Sequence, residues 1–123
     1  MPSDREADPF DLTRTVADRA DDLIFAHKVA WSYNPLQYAW KVHEAYLERF
    51  GTGRKKAVFL GMNPGPWGMA QTGIPFSDTT IAGDWMGLRG IPIGSPENED
   101  PDRPVLGWDL DRTEGSGQRL YGY

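Results

Sequence analysis

Phe59-Leu-Gly-Met-Asn-Pro-Gly-Pro-Trp-Gly-Met-Ala-Gln-Thr-Gly-Ile-Pro-Phe76 is the stretch on which the reading of this chain turns. Residues 57–60, Ala-Val-Phe-Leu, form a short apolar run that predicts a buried strand stopping at Gly61. A bent loop follows, with four glycines (Gly61, Gly65, Gly68, Gly73) and three prolines (Pro64, Pro66, Pro75). Proline fixes φ and glycine admits positive φ, so this backbone is stiff and continues neither as helix nor as strand. Asn63 would sit at the carboxyl end of the strand, where open α/β sheets bind ligands. One amide held among apolar side chains predicts a pocket of small-molecule size.

Composition alone favours a plain connecting turn, because Asn-Pro and Pro-Gly are ordinary turn signals. A generic nucleotide loop fits less well. No Gly-Lys-Ser/Thr ending marks a Walker loop, and the glycine spacing does not match the dinucleotide fingerprint.

The segment from Gly61 to Phe76 resembles the first catalytic motif of the uracil-DNA glycosylase superfamily. Within it, the match is to the single-strand-selective monofunctional uracil-DNA glycosylases, which also remove 5-hydroxymethyluracil. Tyr33-Asn-Pro-Leu-Gln-Tyr-Ala-Trp40, with His43 and Tyr46, resembles the family's helix before the first strand. Arg103-Pro-Val-Leu-Gly107 and Ser116-Gly-Gln-Arg-Leu-Tyr-Gly122 resemble two further family segments. The fold this resemblance implies is α/β, a three-layer α/β/α arrangement around a central parallel sheet.

Only part of that pattern is present. The family's later segments carry an asparagine that hydrogen-bonds the flipped uracil and a histidine, in a His-Pro-Ser-Pro-like loop, that stabilises the departing base. Here the histidines are His27 and His43, both ahead of residue 57, and the asparagines are Asn34, Asn63 and Asn98. A parallel sheet also needs several strands covered on both faces, yet beyond 57–60 there is only a weak candidate at 104–106. The last residues, 118–123, read as a helix beginning. The expectation is therefore an acidic amino-terminal segment over 1–32, followed over 33–123 by the amino-terminal half of a glycosylase domain. Those 123 residues alone are expected to be inactive. The alternative is a catalytically inactive fragment, or a weak DNA-binding remnant.

The chain has no cysteine, which excludes a disulfide framework and thiolate-held zinc or iron–sulfur clusters in these residues. With two histidines, no metal and no other cofactor is expected. No apolar run is long enough to span a membrane, and the acidic start, Met-Pro-Ser-Asp-Arg-Glu-Ala-Asp, is unlike a secretory signal. A soluble intracellular monomer is expected, cytoplasmic (nucleoid) in a prokaryote and nuclear in a eukaryote.

Net charge is −5, which at first sight argues against a DNA partner. Its distribution weakens that objection. Residues 1–22 hold seven acids against three bases, and residues 94–114 seven against two, whereas 23–93 hold seven bases against four acids. Backbone N–H groups and helix N-termini also bind phosphate without formal charge. Charge leaves the partner open, and uracil-containing DNA, single- or double-stranded, is the partner the resemblance implies.

Leu12, Val16, Ala20 and Leu23 share one face of a helix predicted over 12–28. A second helix is predicted over 35–50, with Asn34 as its cap, Pro35 at its first position and Gly51 at its stop. Its stripe of Leu36, Ala39, Trp40, His43, Leu47 and Phe50 should face the sheet, with His43 a satisfied core histidine. Asp78 is placed to cap a short helix running to Trp85. Residues 87–104, rich in Gly, Pro and acids, read as a surface loop. Asp109, Asp111 and Glu114 read as solvated charges rather than acid–base partners.

The chemistry comes from the resemblance. A uracil in a polymer must leave the stack before its glycosidic bond can be reached. By resemblance, Asn63 orients the attacking water; an amide accepts a hydrogen bond but cannot remove a proton near neutrality. Phe76 matches the aromatic that stacks on the flipped base, and Met62, Gly65 and Met69 match pocket-wall positions near its 5-position. The motif holds no lysine for a Schiff base, in keeping with hydrolysis without strand cleavage. The family usually has glycine after Pro-Phe, where this chain has Ser77. If that position needs positive φ, serine strains the loop or shifts Phe76.

Overall fold

The computed structural model describes residues 8–122, so the charged residues at the extreme amino terminus and Tyr123 lie outside it. Helix α1, Pro9–Asp21, begins where the Asp8 side chain accepts the Phe10 N–H and Pro9 occupies the first turn. It ends seven residues before the predicted limit. Asp21 and Asp22 put two carboxylates at the negative end of the helix dipole, where they oppose continuation. The predicted stripe is not the buried face. Leu12, Val16 and Leu23 are exposed, and Ala17 is the helix's buried residue.

The helix predicted over 35–50 is broken at Ala39 into α2, Pro35–Tyr38, and α3, Trp40–Phe50. Asn34 precedes α2 but does not cap it with its side chain. Its Nδ2 instead donates to the Ala17 carbonyl and to Asp21 Oδ1, both at 2.8 Å, and so ties α2 to the end of α1. Gln37 donates to Asp18 at 3.0 Å, and the Arg14 guanidinium lies 4.4 Å from the centre of the Trp40 ring. On α3 the buried residues are Val42, His43 and Leu47, while Phe50 is exposed.

The core gathers Val42 with Ile74, Ile81, Ala82, Met86 and Leu88. Tyr46, Ile91, Ile93, Trp108 and Tyr121 pack around it. Most of these come from the segment after the glycine-rich loop, which winds into a π-helical segment, Thr80–Trp85; the loop itself, expected to be neither helix nor strand, holds a single-turn helix α4, Met69–Thr72, in its glycine- and proline-free stretch 69–72. The Met86 N–H reaching back five residues to the Ile81 carbonyl, at 2.8 Å, marks the wider winding. A 3₁₀ turn, Gly107–Asp109, and helix α5, Gly115–Leu120, complete the described elements. Residues 87–104 form the irregular stretch expected, held at Tyr33, whose hydroxyl accepts the Asp100 N–H at 2.7 Å and donates to the Arg103 carbonyl at 2.8 Å.

The central parallel sheet is not there. Among the described residues no β-strand forms, and the arrangement is helices joined by long irregular segments. Residues 57–60 run as irregular exposed backbone, with Val58 88% and Leu60 94% exposed. A strand exists only when a neighbour completes its ladder of N–H and C=O groups, and an apolar run does not specify that neighbour. The other candidate, 104–106, is bonded to a side chain instead: Gln71 takes the Pro104 carbonyl and the Leu106 N–H.

Candidate functional site

The glycine-rich loop is organised from beneath by two buried polar side chains. Gln71 is 1% exposed and makes four hydrogen bonds. Its Nε2 donates to the carbonyls of Pro66 and Pro104, and its Oε1 accepts the N–H groups of Leu106 and Gly107. Every donor and acceptor of the amide is used, which fixes the loop against the 104–107 segment. His43 reaches the other end of α4. Its Nδ1 lies 2.7 Å from the Gly73 carbonyl, so that nitrogen carries the proton and donates. Burial pushes the imidazole below its ordinary range, against the smaller opposing pull of that carbonyl. Gly73 itself has φ +78°, and a Cβ there would meet Ala39 Cβ at 2.8 Å, so no other residue fits without displacement.

At the loop's far end the unusual backbone falls on Phe76, not on the residue after it. Phe76 has φ +56°, a conformation rare for a bulky side chain. Ser77 is fully buried and unstrained in this sense, and its Oγ donates to the Ile74 carbonyl at 3.0 Å. The expected strain at Ser77 is thus absent, and the strained residue is the aromatic one. Bulky residues persist in such a conformation only where their surroundings over-determine them. Two glycines supply that enclosure: a Cβ on Gly61 would meet the tip of the Phe76 ring at 3.1 Å, and one on Gly117 would meet the Phe76 carbonyl at 2.5 Å.

The result is a cavity of about 550 Å³. Met62, Asn63, Gly65, Met69 and Phe76, the five residues singled out from the sequence, all line it. Its floor is half-buried Phe76 with Pro75 and Ser77, and its rim carries Asn63 and an almost fully exposed Met62. Phe59 and Leu60 extend the apolar wall. A larger cleft of about 950 Å³ lies on the other side of the loop, sharing Pro64 and Met69 with this one. Of the five it holds only Met69, and Met62, Asn63, Gly65 and Phe76 are absent from it.

Glu114, a solvated charge by its sequence context, lies in the cavity wall instead. It is half-buried, and its side chain lies over Gly65 and Gly68: a Cβ on Gly68 would meet Glu114 Cγ at 3.2 Å, and one on Gly65 would meet Oε2 at 3.5 Å. Ser116 Oγ donates to Oε1 at 3.3 Å. The anchor is Asp78, itself 1% exposed, whose Oδ2 accepts the Glu114 N–H at 3.0 Å while Oδ1 accepts the Ile81 N–H at 2.8 Å. Asp78 thus caps the following turn as expected and also sets the position of Glu114. Among the described residues, Glu114 is the one ionisable side chain lining the cavity. An amide beside a carboxylate can orient a polar molecule and accept a proton from it, and an aromatic floor can hold a flat ring. Neither histidine lines the cavity, and among the described residues no group of His, Cys, Asp and Glu is arranged to hold a metal ion.

Sequence reasoning missed Gln71 and Glu114. For Gln71 the signal was an amide inside an otherwise apolar, glycine-rich motif. For Glu114 nothing local distinguishes it from the acids before it.

Three relatives found by comparison with known proteins agree with one another. The chain is 47% identical over 106 residues to a single-strand selective monofunctional uracil DNA glycosylase of Bos taurus, covering 86% of this chain and 39% of that protein. It is 40% identical over 133 residues to the one of Mus musculus, covering 99% and 47%. It is 48% identical over 101 residues to the one of Rattus norvegicus, covering 82% and 36%. The chain thus spans less than half the length of the curated relatives it matches. No family model matches it.

Proposed function

We propose a function from one premise: the chain belongs to the single-strand-selective monofunctional uracil-DNA glycosylase family. The proposed reaction is hydrolysis of the N-glycosidic bond of uracil in DNA, in the service of DNA repair, with 5-hydroxymethyluracil as a further substrate. The observation that carries it is the convergence of Asn63, Phe76, Met62, Gly65 and Met69 on one cavity.

In this reading a uracil leaves the base stack and enters the cavity with its ring on Phe76, a contact worth about 1–3 kcal/mol. Gly65 leaves room for the close approach, and Met62 and Met69 bound the edge of the base. The bond between the sugar carbon and the base breaks with its electron pair leaving on uracil, and the sugar becomes cationic. A water held by the Asn63 amide oxygen then bonds to that carbon. Asn63 contributes by placement, because it cannot take the proton. Glu114 is the cavity-lining group able to receive it.

One observation favours a second reading, in which these residues hold a uracil-containing strand but release the base slowly. His43 is 6% exposed and bonded to Gly73, and it cannot serve a departing anion in the cavity. Stabilising that anion needs aimed donors. Incubation with uracil-containing single- and double-stranded oligonucleotides, with free uracil as the readout, separates the two. Release supports the first reading, and binding without release supports the second. Intact oligonucleotides together with tight binding of a free nucleotide would contradict both.

A further inference from the structure

Trp67 lies in the loop between Pro66 and Gly68, and two guanidinium groups face its ring. The Arg112 carbon is 4.6 Å from the ring centre and the Arg103 carbon 5.6 Å. Both distances fall within the range of a cation–π contact. Neither arginine makes a salt bridge; the one ion pair among the described residues joins Arg89 to Asp84. Both are exposed. Acids neighbour both arginines in sequence, Asp102 beside Arg103 and Asp111 beside Arg112, but among the described residues none lies within salt-bridge distance of them; Glu99 Oε1 accepts the Val105 N–H, Asp100 Oδ1 accepts the Asp102 N–H, and Arg103 donates to the Asp102 carbonyl.

The position matters as much as the pairing. Gly68, next to Trp67, lines the cavity, and so does Glu114, two residues after Arg112. Two residues of chain span at most about 7 Å, which places the Arg112 backbone near the cavity, while Trp67 and the two arginines lie outside its lining. Their segments are fixed: Gln71 holds Pro104, beside Arg103, and Asp78 holds Glu114. A stacked guanidinium keeps its N–H edge free and loses less entropy when that edge binds an oxyanion.

We propose that Arg103 and Arg112, ordered on Trp67, form a cradle for phosphate groups of a nucleic-acid strand whose base occupies the adjacent cavity. The proposal rests on the uracil reading for the occupant of the cavity, but the cradle itself recognises backbone phosphate and no base. Arg103 and Arg112 are the two bases of residues 94–114, a segment that also holds seven acids.

The test is the salt dependence of binding of a fluorescein-labelled oligo-thymidylate carrying one central uracil, titrated between 50 and 300 mM salt (about that range resolves the slope). Each phosphate contact to a single strand contributes about 0.7 to the slope of log K against log salt. The Arg103→Gln, Arg112→Gln double variant should lower the slope by about 1.4. Arg112→Lys, which keeps the charge, should retain the wild-type slope. An unchanged slope in the double variant overturns the cradle, and so does an equal loss in Arg112→Lys, which would mean a structural effect. The same titration with an all-thymine strand tests the other reading. Equal affinity for both strands, with the slope still reduced, would sink the uracil reading and leave the cradle standing.

Discussion

The buried carboxylate of Asp78 holds the Glu114 N–H at 3.0 Å and, through its second oxygen, the Ile81 N–H at 2.8 Å. One side chain thereby joins the start of the π-helical segment to the residue that closes the cavity wall. Asp78→Asn keeps the shape but turns one acceptor into an NH₂ facing an N–H. A loss of about 1–3 kcal/mol is expected, the cost of orphaning one buried group. Urea denaturation measures it, and an unmoved midpoint would show that the link does not matter.

Gln71 makes a stronger demand. Gln71→Leu leaves the Pro66 and Pro104 carbonyls and two N–H groups without their partner. Destabilisation of about 3 kcal/mol or more is expected, since several buried groups lose bonds together. Limited proteolysis should locate the first cleavage near residues 104–107.

Much of this architecture could not be read from the sequence, for identifiable reasons. The glycines and prolines of residues 61–76 made the loop legible, because Gly73 and Pro75 act through their own backbone. Asp78 was legible as a cap because capping is local, and His43 as a core residue because it lies on a helical stripe. The apolar run 57–60 pointed to a strand, but pairing is a property of two segments and only one was in view. Glu114 and Gln71 bind residues 36 and 35 positions away, a separation no local pattern encodes. The break at Ala39 and the exposed faces of Leu12 and Val16 are likewise tertiary outcomes.

His43 predicts a pH dependence with a definite sign. Its proton affinity is lowered by burial from the ordinary value of 6.5, so the unfolded chain takes up a proton first as pH falls. Its contribution to stability is complete above that value and is lost as pH falls from there through the folded-state value. The thermal midpoint of the wild type should drop between pH 7.5 and pH 5.5 (roughly the window in which an unperturbed histidine titrates). His43→Gln should flatten that part of the profile, and an equal drop in the variant would assign it to other groups.

Asn63 is exposed, and no hydrogen bond joins its side chain to the described residues. In the complete enzyme, Asn63→Ala should therefore leave folding unchanged while lowering single-turnover uracil release by about a hundredfold, the scale of a misplaced nucleophile. Unchanged turnover would remove Asn63 from the mechanism.

The most direct test of the uracil reading is the relative affinity of the protein for two single strands that differ at one position, uracil in one and thymine in the other. The cavity of Asn63 and Phe76 should favour the uracil strand by about tenfold or more, and Phe76→Ala should reduce that affinity by the roughly 1–3 kcal/mol that stacking contributes. Equal affinity for the two strands, or a Phe76→Ala variant that binds uracil as the wild type does, would contradict it.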